Sequence, residues 1–350
     1  MRHESPWPIG PADVDGLLYD IRPLRVAVIG DFCLDVYLVL DPAAAEVSVE
    51  TGLPTRPVAE QRYSLGGAGN VAANLAALGC AEVCAFGVIG DDPFGAEMAR
   101  ILRRSGIDAG GLLIQGAEWD TCTYTKVFEA GGGEQRESNR IDYGTSNRLR
   151  PKTADHLVAR LAGALADGRV DAVVINQQVR NGVHTECLRR CLQDLIRRHP
   201  KTPWVADSRH FADAFAGTVR KLNEAEAAAV AGGARSSGGP ARPAAAAACE
   251  LFRRWGTPVF VTRGARGCLA CAAGGVIELA APSVPTDVDP VGAGDAFLAG
   301  LTAALAAGRE PGVAAAFAGL AAGVTVTKLH RTGTASPGEI RELARRQIQW

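Results

Sequence analysis

Short apolar runs alternate with helical stretches along most of this chain, and that alternation leaves few architectures open. Val26–Ile29, Val83–Ile89, Ala172–Ile175, Trp204–Ala206 and Pro258–Thr262 are brief, apolar and each closed by a polar or glycine-bearing turn, as strands buried on both faces are. Between them, Asn70–Leu78, Phe94–Ser105, Ala154–Ala166 and Glu186–Arg198 read as helices. The alternation predicts an α/β fold with a mostly parallel sheet between helical layers. Ligands of such a sheet lie beyond the carboxyl ends of its strands. With 350 residues, 47% of them hydrophobic, the chain suffices for one large core or two small ones.

Other stretches break the pattern. Val36–Ser64 and Trp119–Arg140 are more polar, with β-branched and aromatic residues at irregular spacing. They read either as a small accessory sheet or as two long surface loops. Residues 1–23 carry four prolines and read as a loose N-terminal extension. Residues 231–248 are rich in Gly, Ala, Ser, Pro and Arg and read as a flexible insertion.

Charge and cysteine usage narrow the partners. The 37 basic and 38 acidic residues leave a formal charge of −1, which gives no reason to expect a nucleic acid or an anionic membrane as partner. No apolar run approaches the ~20 residues of a membrane span, and no secretion signal opens the chain. The nine cysteines are irregularly spaced. The close pairs Cys187/Cys191 and Cys268/Cys271 have no matching Cys or His pair that would complete a zinc site. On a strand, Cys268 and Cys271 would point to opposite faces. Structural, reduced thiols and a cytoplasmic location are expected.

The segment that most suggests chemistry is Asp289-Pro-Val-Gly-Ala-Gly-Asp295, followed by an apolar helical run. Gly292, Ala293 and Gly294 let backbone amides converge where that helix begins, which makes an anion site. Asp295 would lie beside a bound phosphate, placed to take a proton from an attacking hydroxyl, while the amides stabilise the transferring group. The alternative is a tight turn with an aspartate cap.

Gly66-Gly-Ala-Gly-Asn70 also allows close approach of a ligand, and Asn70 offers a donor and an acceptor to a sugar hydroxyl. Gly67-x-Gly69-x-x-Ala72 with Asp91 mimics a dinucleotide fingerprint, but Glu60–Leu65 before it is a poor core strand. Thr262-Arg-Gly-Ala-Arg-Gly267 reads as a phosphate-holding turn or an ordinary one. Asn223-x-x-Glu226 places two side chains on one helical face, either to organise magnesium-bound water or as a solvated helix start. Neither a P-loop nor the protein-kinase motifs occur.

In this order, an Asp after the first strand, the double glycine, Asn-x-x-Glu, Thr-x-Gly-x-x-Gly and Gly-Ala-Gly-Asp, the chain resembles the ribokinase or pfkB family of carbohydrate kinases over about residues 24–342. Gly30–Tyr37, the spacing of Gly67 and Asn70, and the tail Ala321–Leu329 with Gly333–Pro337 resemble bacterial heptose-7-phosphate kinases. The segment Asp289–Asp295, with Pro290, is also similar to that of 2-keto-3-deoxygluconate kinases, and Gln177–Gly182, with Arg180, departs from the heptose-kinase pattern.

The resemblance implies a ribokinase-like domain at 24–345, a central sheet flanked by helices, with a small β-sheet lid from segments near 36–65 and 119–142. It implies an ATP-dependent sugar kinase with Asp295 as base. Asp35, Gly66, Gly67 and Asn70 would hold the sugar, and Arg136, Arg140 and Asp142 are further candidates for substrate contact. Asn223 and Glu226 would serve a magnesium–phosphate network, Thr262, Gly264 and Gly267 the nucleotide phosphates, and Asp289 a monovalent cation such as K+. A homodimer through the lid is implied as well. An NAD(P)-linked oxidoreductase and a non-catalytic sugar sensor are the rival readings.

Overall fold

The apolar runs pair side by side, as their alternation with helices requires. A computed structural model of the chain describes residues 7–131, 134–232, 243–284, 287–329 and 332–347. The chain runs through α1 (Pro11–Ile21), β1 (Arg25–Gly30), β2 (Phe32–Leu40), β3 (Val58–Gly67), α2 (Ala68–Leu78), β4 (Glu82–Ile89), α3 (Pro93–Arg104) and β5 (Asp108–Ile114). Next come β6 (Thr123–Gly131), β7 (Glu134–Tyr143), α4 (Pro151–Ala166), β8 (Ala172–Gln177), α5 (Glu186–Arg198), β9 (Trp204–Ser208) and β10 (Val219–Asn223). Then follow α6 (Glu224–Gly232), α7 (Ala244–Trp255), β11 (Val259–Thr262), β12 (Cys268–Ala272), β13 (Gly275–Leu279), α8 (Ala293–Ala306), α9 (Pro311–Thr325) and α10 (Pro337–Arg346).

The large sheet has nine strands in the order β13-β12-β11-β10-β9-β8-β1-β4-β5. All pairs from β5 to β11 are parallel, and β12 and β13 add an antiparallel edge. β1 lies between β4 and β8, where the strand order reverses and an open α/β sheet offers its crevice. Along β1, Val26 and Val28 join the core under α2, α8 and α9, whereas Ala27 and Ile29 join the one under α4 and α5. Burial on both faces explains why these strands read as unbroken apolar runs. Cys268 and Cys271 do fall on opposite faces of β12, in separate cores.

The two irregular stretches form a sheet rather than loops. Its order is β3-β2-β6-β7, with β2 and β6 parallel and both outer pairs antiparallel. A single residue, Asp31, separates β1 of the large sheet from β2 of the lid. Its carboxylate accepts the amides of Gln178, Val179 and Val183 at 2.8–2.9 Å, which ties the crossing point to the loop after β8. The strand before Gly67 is thus an antiparallel lid strand, not a parallel core strand, and this overturns the dinucleotide reading of Gly67–Ala72.

Two expectations from composition need correction. Residues 11–21 are not loose: they form α1, whose Val14, Leu17, Leu18 and Ile21 are buried. The i, i+3, i+4, i+7 spacing is that of an amphipathic helix, and Pro11 sits at its first turn, where a missing N–H costs nothing. Within 231–248, the described residues from Ala244 onward belong to α7, and Ala244, Ala247 and Ala248 are buried. Alanine there is a helix former, not linker filler. Residues 233–242 lie outside the described residues. Leu17→Ala should cost about 2–5 kcal/mol in urea unfolding, whereas an undocked extension would leave the midpoint unchanged.

Candidate active site

Two helix beginnings meet beyond the carboxyl ends of the strands. Gly292 caps α8 with φ +78°, a conformation favouring glycine, and a Cβ there would come within 2.8 Å of Asn70 Nδ2. The turn carries Asp295 into the first turn of α8. From the first turn of α2, Asn70 Nδ2 donates to Asp295 Oδ2 at 2.9 Å. Asn70 is itself fixed by Asn74, whose Nδ2 donates to the Asn70 side-chain and main-chain oxygens at 3.1 and 3.0 Å. Burial pushes the Asp295 carboxyl up to about 6. The Asn70 hydrogen bond and the Lys221 charge oppose that rise, and the carboxylates of Asp207 and Asp35 add to it.

The lid forms the other wall. Gly67 ends β3 with φ +53°, where a Cβ would lie 2.6 Å from the Asp31 carbonyl oxygen. A Cβ on Gly66 would lie 3.1 Å from Asp35 Oδ2, so both glycines keep this corner open. Asp35, on β2, is 3.3 Å from Lys126 Nζ on β6 and accepts from Thr332 Oγ1 at 3.3 Å. Lys126 Nζ sits 4.8 Å from the centroid of the Tyr37 ring, which stacks on Phe128. Burial opposes the Lys126 ammonium, but Asp35 and Tyr37 outweigh it and hold its pKa above the ordinary value.

A cavity of about 800 Å³ opens on the far side of the α8 turn, lined among others by Asn223, Thr262, Gly264, Gly267, Ala293 and Gly294. Asn223 and Thr262 are register partners at the ends of β10 and β11, and Thr262 Oγ1 donates to the Leu222 carbonyl at 3.3 Å. Gly264 and Gly267 have φ +59° and +82°, and a Cβ on Gly267 would collide with the Leu279 carbonyl. Asn223 and Glu226 form a reciprocal cap on α6: each side chain accepts the other's N–H, at 2.9 and 2.8 Å.

Sequence reading missed the charges beneath this turn. Lys221 on β10 and Asp207 on β9 are register partners, both buried, with Nζ–Oδ2 2.7 Å. Lys221 Nζ lies 3.2 Å from where a Cβ on Gly294 would be. Burial disfavours its charge, but Asp207, Glu226 and Asp295 keep its pKa raised. No spacing in the sequence hints at this, because the pairing is set by strand register.

The structure brings together Asp295, Asn70, Gly66, Gly67 and Asp35 on one side of the Gly292–Gly294 turn, and Asn223, Thr262, Gly264 and Gly267 on the other, with Glu226 paired to Asn223. Asp289 lies at the start of the turn, its N–H donating to the Val326 carbonyl at 2.8 Å and its Oδ1 accepting from Val291 N–H at 3.0 Å. Arg140 and Asp142 are not drawn into the cluster. They lie exposed on the edge strand β7 and pair with each other at 2.7 Å, Arg140 packing over Tyr124. Arg136 and Arg180 are exposed.

Comparison with known proteins fits this geometry. The family described as pfkB family carbohydrate kinase matches residues 24–337. "Bifunctional protein HldE" of Citrifermentans bemidjiense is 32% identical over 334 residues, covering 94% of this chain and 65% of that protein. The chain therefore spans about two thirds of the length of such relatives. Escherichia coli phosphofructokinase-2 in complex with potassium superimposes with a TM-score of 0.69 at 18% identity, covering 93% of this chain and 99% of the other. Ribokinase from Thermotoga maritima gives 0.64 at 20% identity, with 91% and 99% covered. Among the described residues, no helix is long and apolar enough to cross a membrane. The family match also removes the oxidoreductase reading. This chain belongs to the pfkB family of carbohydrate kinases.

Proposed function

We propose that the chain transfers the γ-phosphoryl group of ATP to a hydroxyl of a sugar phosphate, with Asp295 as general base. The observation that carries this reading is the Asn70–Asp295 hydrogen bond at the junction of α2 and α8. A carboxyl poised near 6 is ionised at neutral pH yet more basic than an ordinary aspartate, which suits proton abstraction from a hydroxyl. The sugar lies against Asp35, Gly66, Gly67 and Asn70, so that its hydroxyl faces Asp295 on one side and the phosphoryl group on the other.

The anion hole narrows to particular amides. Ala293 N–H donates to the Pro290 carbonyl and Asp295 N–H to the Gly292 carbonyl, at 3.2 and 3.1 Å. The hole therefore rests on Gly292 and Gly294, whose N–H groups precede the first intrahelical bonds. Lys221 supplies positive charge under the same turn. Thr262, Gly264 and Gly267 face the remaining phosphates. Asn223, which lines the cavity, and Glu226, paired with it, offer the hard oxygen donors that hydrated magnesium takes. Asn223 and Glu226 would hold magnesium, which would supply positive charge to offset that of the phosphates. The Asp289 loop, joined to the end of α9, has carboxylate and carbonyl oxygens suited to K+.

Within sugar phosphates we favour heptose 7-phosphate. The motif resemblance and the relatives named HldE support it, and the Lys126 ammonium on the lid gives an anionic group a partner near Asp35. A 2-keto-3-deoxy sugar acid is the second reading, favoured by Pro290 in Asp289–Asp295. The exposed lid edge, with Val58 and Ile141 about half exposed at 47% and 50%, is where we place a homodimer contact.

Asp295→Asn should lower kcat by about 10²–10⁴-fold with ATP affinity nearly unchanged; full turnover would sink the mechanism. The same variant should unfold at a higher temperature than wild type at pH 8. The folded pKa is raised, so the native state binds the Asp295 proton more tightly than the unfolded chain, and the associated stability is lost as pH rises through about 6. Asparagine escapes that loss. Asn70→Ala removes a bond that favours the carboxylate, so the acid limb of its kcat/KM profile should move to higher pH than in wild type. An ATP-consumption screen over hexoses, heptose 7-phosphates, ketodeoxy sugar acids and nucleosides should rank a heptose 7-phosphate first, and a neutral sugar at the top would contradict the substrate class.

A further inference from the structure

The cavity beside Gly264 and Gly294 extends well past the phosphate-binding turns, and its walls are not all built by the kinase domain. Trp7 lines it. That residue precedes the stretch matched by the family, which begins at residue 24, and it lies in the segment that composition alone assigns to a loose extension. It is only 7% exposed. The buried face of α1 anchors it from the C-terminal side, through Val14, Leu17, Leu18 and Ile21.

The position of the indole follows from α9. Val326, Ala322, Gly319 and Ala315 all line the cavity, at steps of four, three and four residues, so they form one face. Val326 marks the phosphate end, because its carbonyl accepts the N–H of Asp289. Gly319 lies seven residues up the chain from it, about 10 Å along a helix. There the Trp7 ring carbons approach to 3.4 and 3.5 Å of where a Cβ would project from Gly319. Small residues along this face leave a slot, and the indole stands at its far end.

We infer that Trp7 is a nucleotide-binding residue and that its indole packs against the adenine ring of ATP. This rests on the reading of the cavity as the nucleotide site. A flat, weakly polar ring suits an aromatic wall, and offset stacking adds attraction beyond the area buried. The phosphates are held by the turns at the other end, so Trp7 acts on affinity for the nucleoside and not on the transfer step. The N-terminal segment thereby becomes part of the active site, although it lies outside the kinase motifs.

The test is calorimetric binding of ADP and of inorganic pyrophosphate to wild type, W7A and W7F. W7A should bind ADP about 5–10-fold more weakly while its affinity for pyrophosphate is unchanged, and W7F should restore ADP binding to within about 2-fold of wild type. In kinetics, W7A should raise KM for ATP with kcat and KM for the sugar unaltered, which a merely structural role would not do. Equal ADP affinity in W7A and wild type overturns the proposal, as does a parallel loss of ADP and pyrophosphate. Should W7A fail to fold, the indole fluorescence of wild type serves: ADP should quench it, the quench should be absent in W7F, and an identical quench in W7F contradicts the stacking. Wild type that binds neither ADP nor pyrophosphate would instead overturn the nucleotide reading of the cavity, and the role of Trp7 with it.

Discussion

The hydrogen bond from Asn70 to Asp295 joins two helix beginnings that lie far apart in the chain, and the rest of the site is arranged around it. It requires Gly67 and Gly292 to turn with positive φ where any side chain would strike a neighbour. It also requires α2 and α8 to be packed in the same layer, which the shared core beneath them provides. In return it orients a partly desolvated carboxylate toward the lid. The lid cannot drift far from this point, because β3 runs directly into α2 and Asp31 staples the β1–β2 crossing to the loop after β8.

Electrostatics here is a balance of opposed terms. A group of three carboxylates and one ammonium, Asp35, Asp207, Asp295 and Lys221, shares a low-dielectric region, and burial raises the Asp295 pKa despite Lys221. Lys221 stays charged because Asp207 sits opposite it in register. Removing either partner would strand a buried charge, a loss of about 3–5 kcal/mol. In the proposed reaction, an ammonium held in that way would need no reorganisation when phosphoryl charge develops above the α8 turn. The mixed signs also explain why net composition, at −1, says nothing of the site.

Much of this architecture was legible because its signals are local. Buried parallel strands announce themselves as apolar runs, and the glycine turn before an apolar helix marks where Asp295 stands. The lid was half legible: its sheet was one of two readings, since alternation in β2 is blurred where Phe32–Val36 are buried throughout. What stayed hidden depends on register or on context. The Lys221–Asp207 pair is a cross-strand relation that no spacing records. α1 was masked by its flanking prolines, though Val14, Leu17, Leu18 and Ile21 carry the helical period. Ala244, Ala247 and Ala248 resembled biased composition, and the structure has them buried in the core. Arg140 and Asp142 looked available for substrate, and the structure has them engaged with each other.

The central claim, that Asp295 accepts the proton of the sugar hydroxyl, is tested most directly by the pH dependence of kcat/KM with a saturating nucleotide. The account predicts activity that rises with pH through a single ionisation at about 6 and levels off above neutrality, as the base of the nucleotide-bound enzyme loses its proton. A profile flat from about pH 5 to 8, or the same acid limb retained in Asp295→Asn, would contradict it.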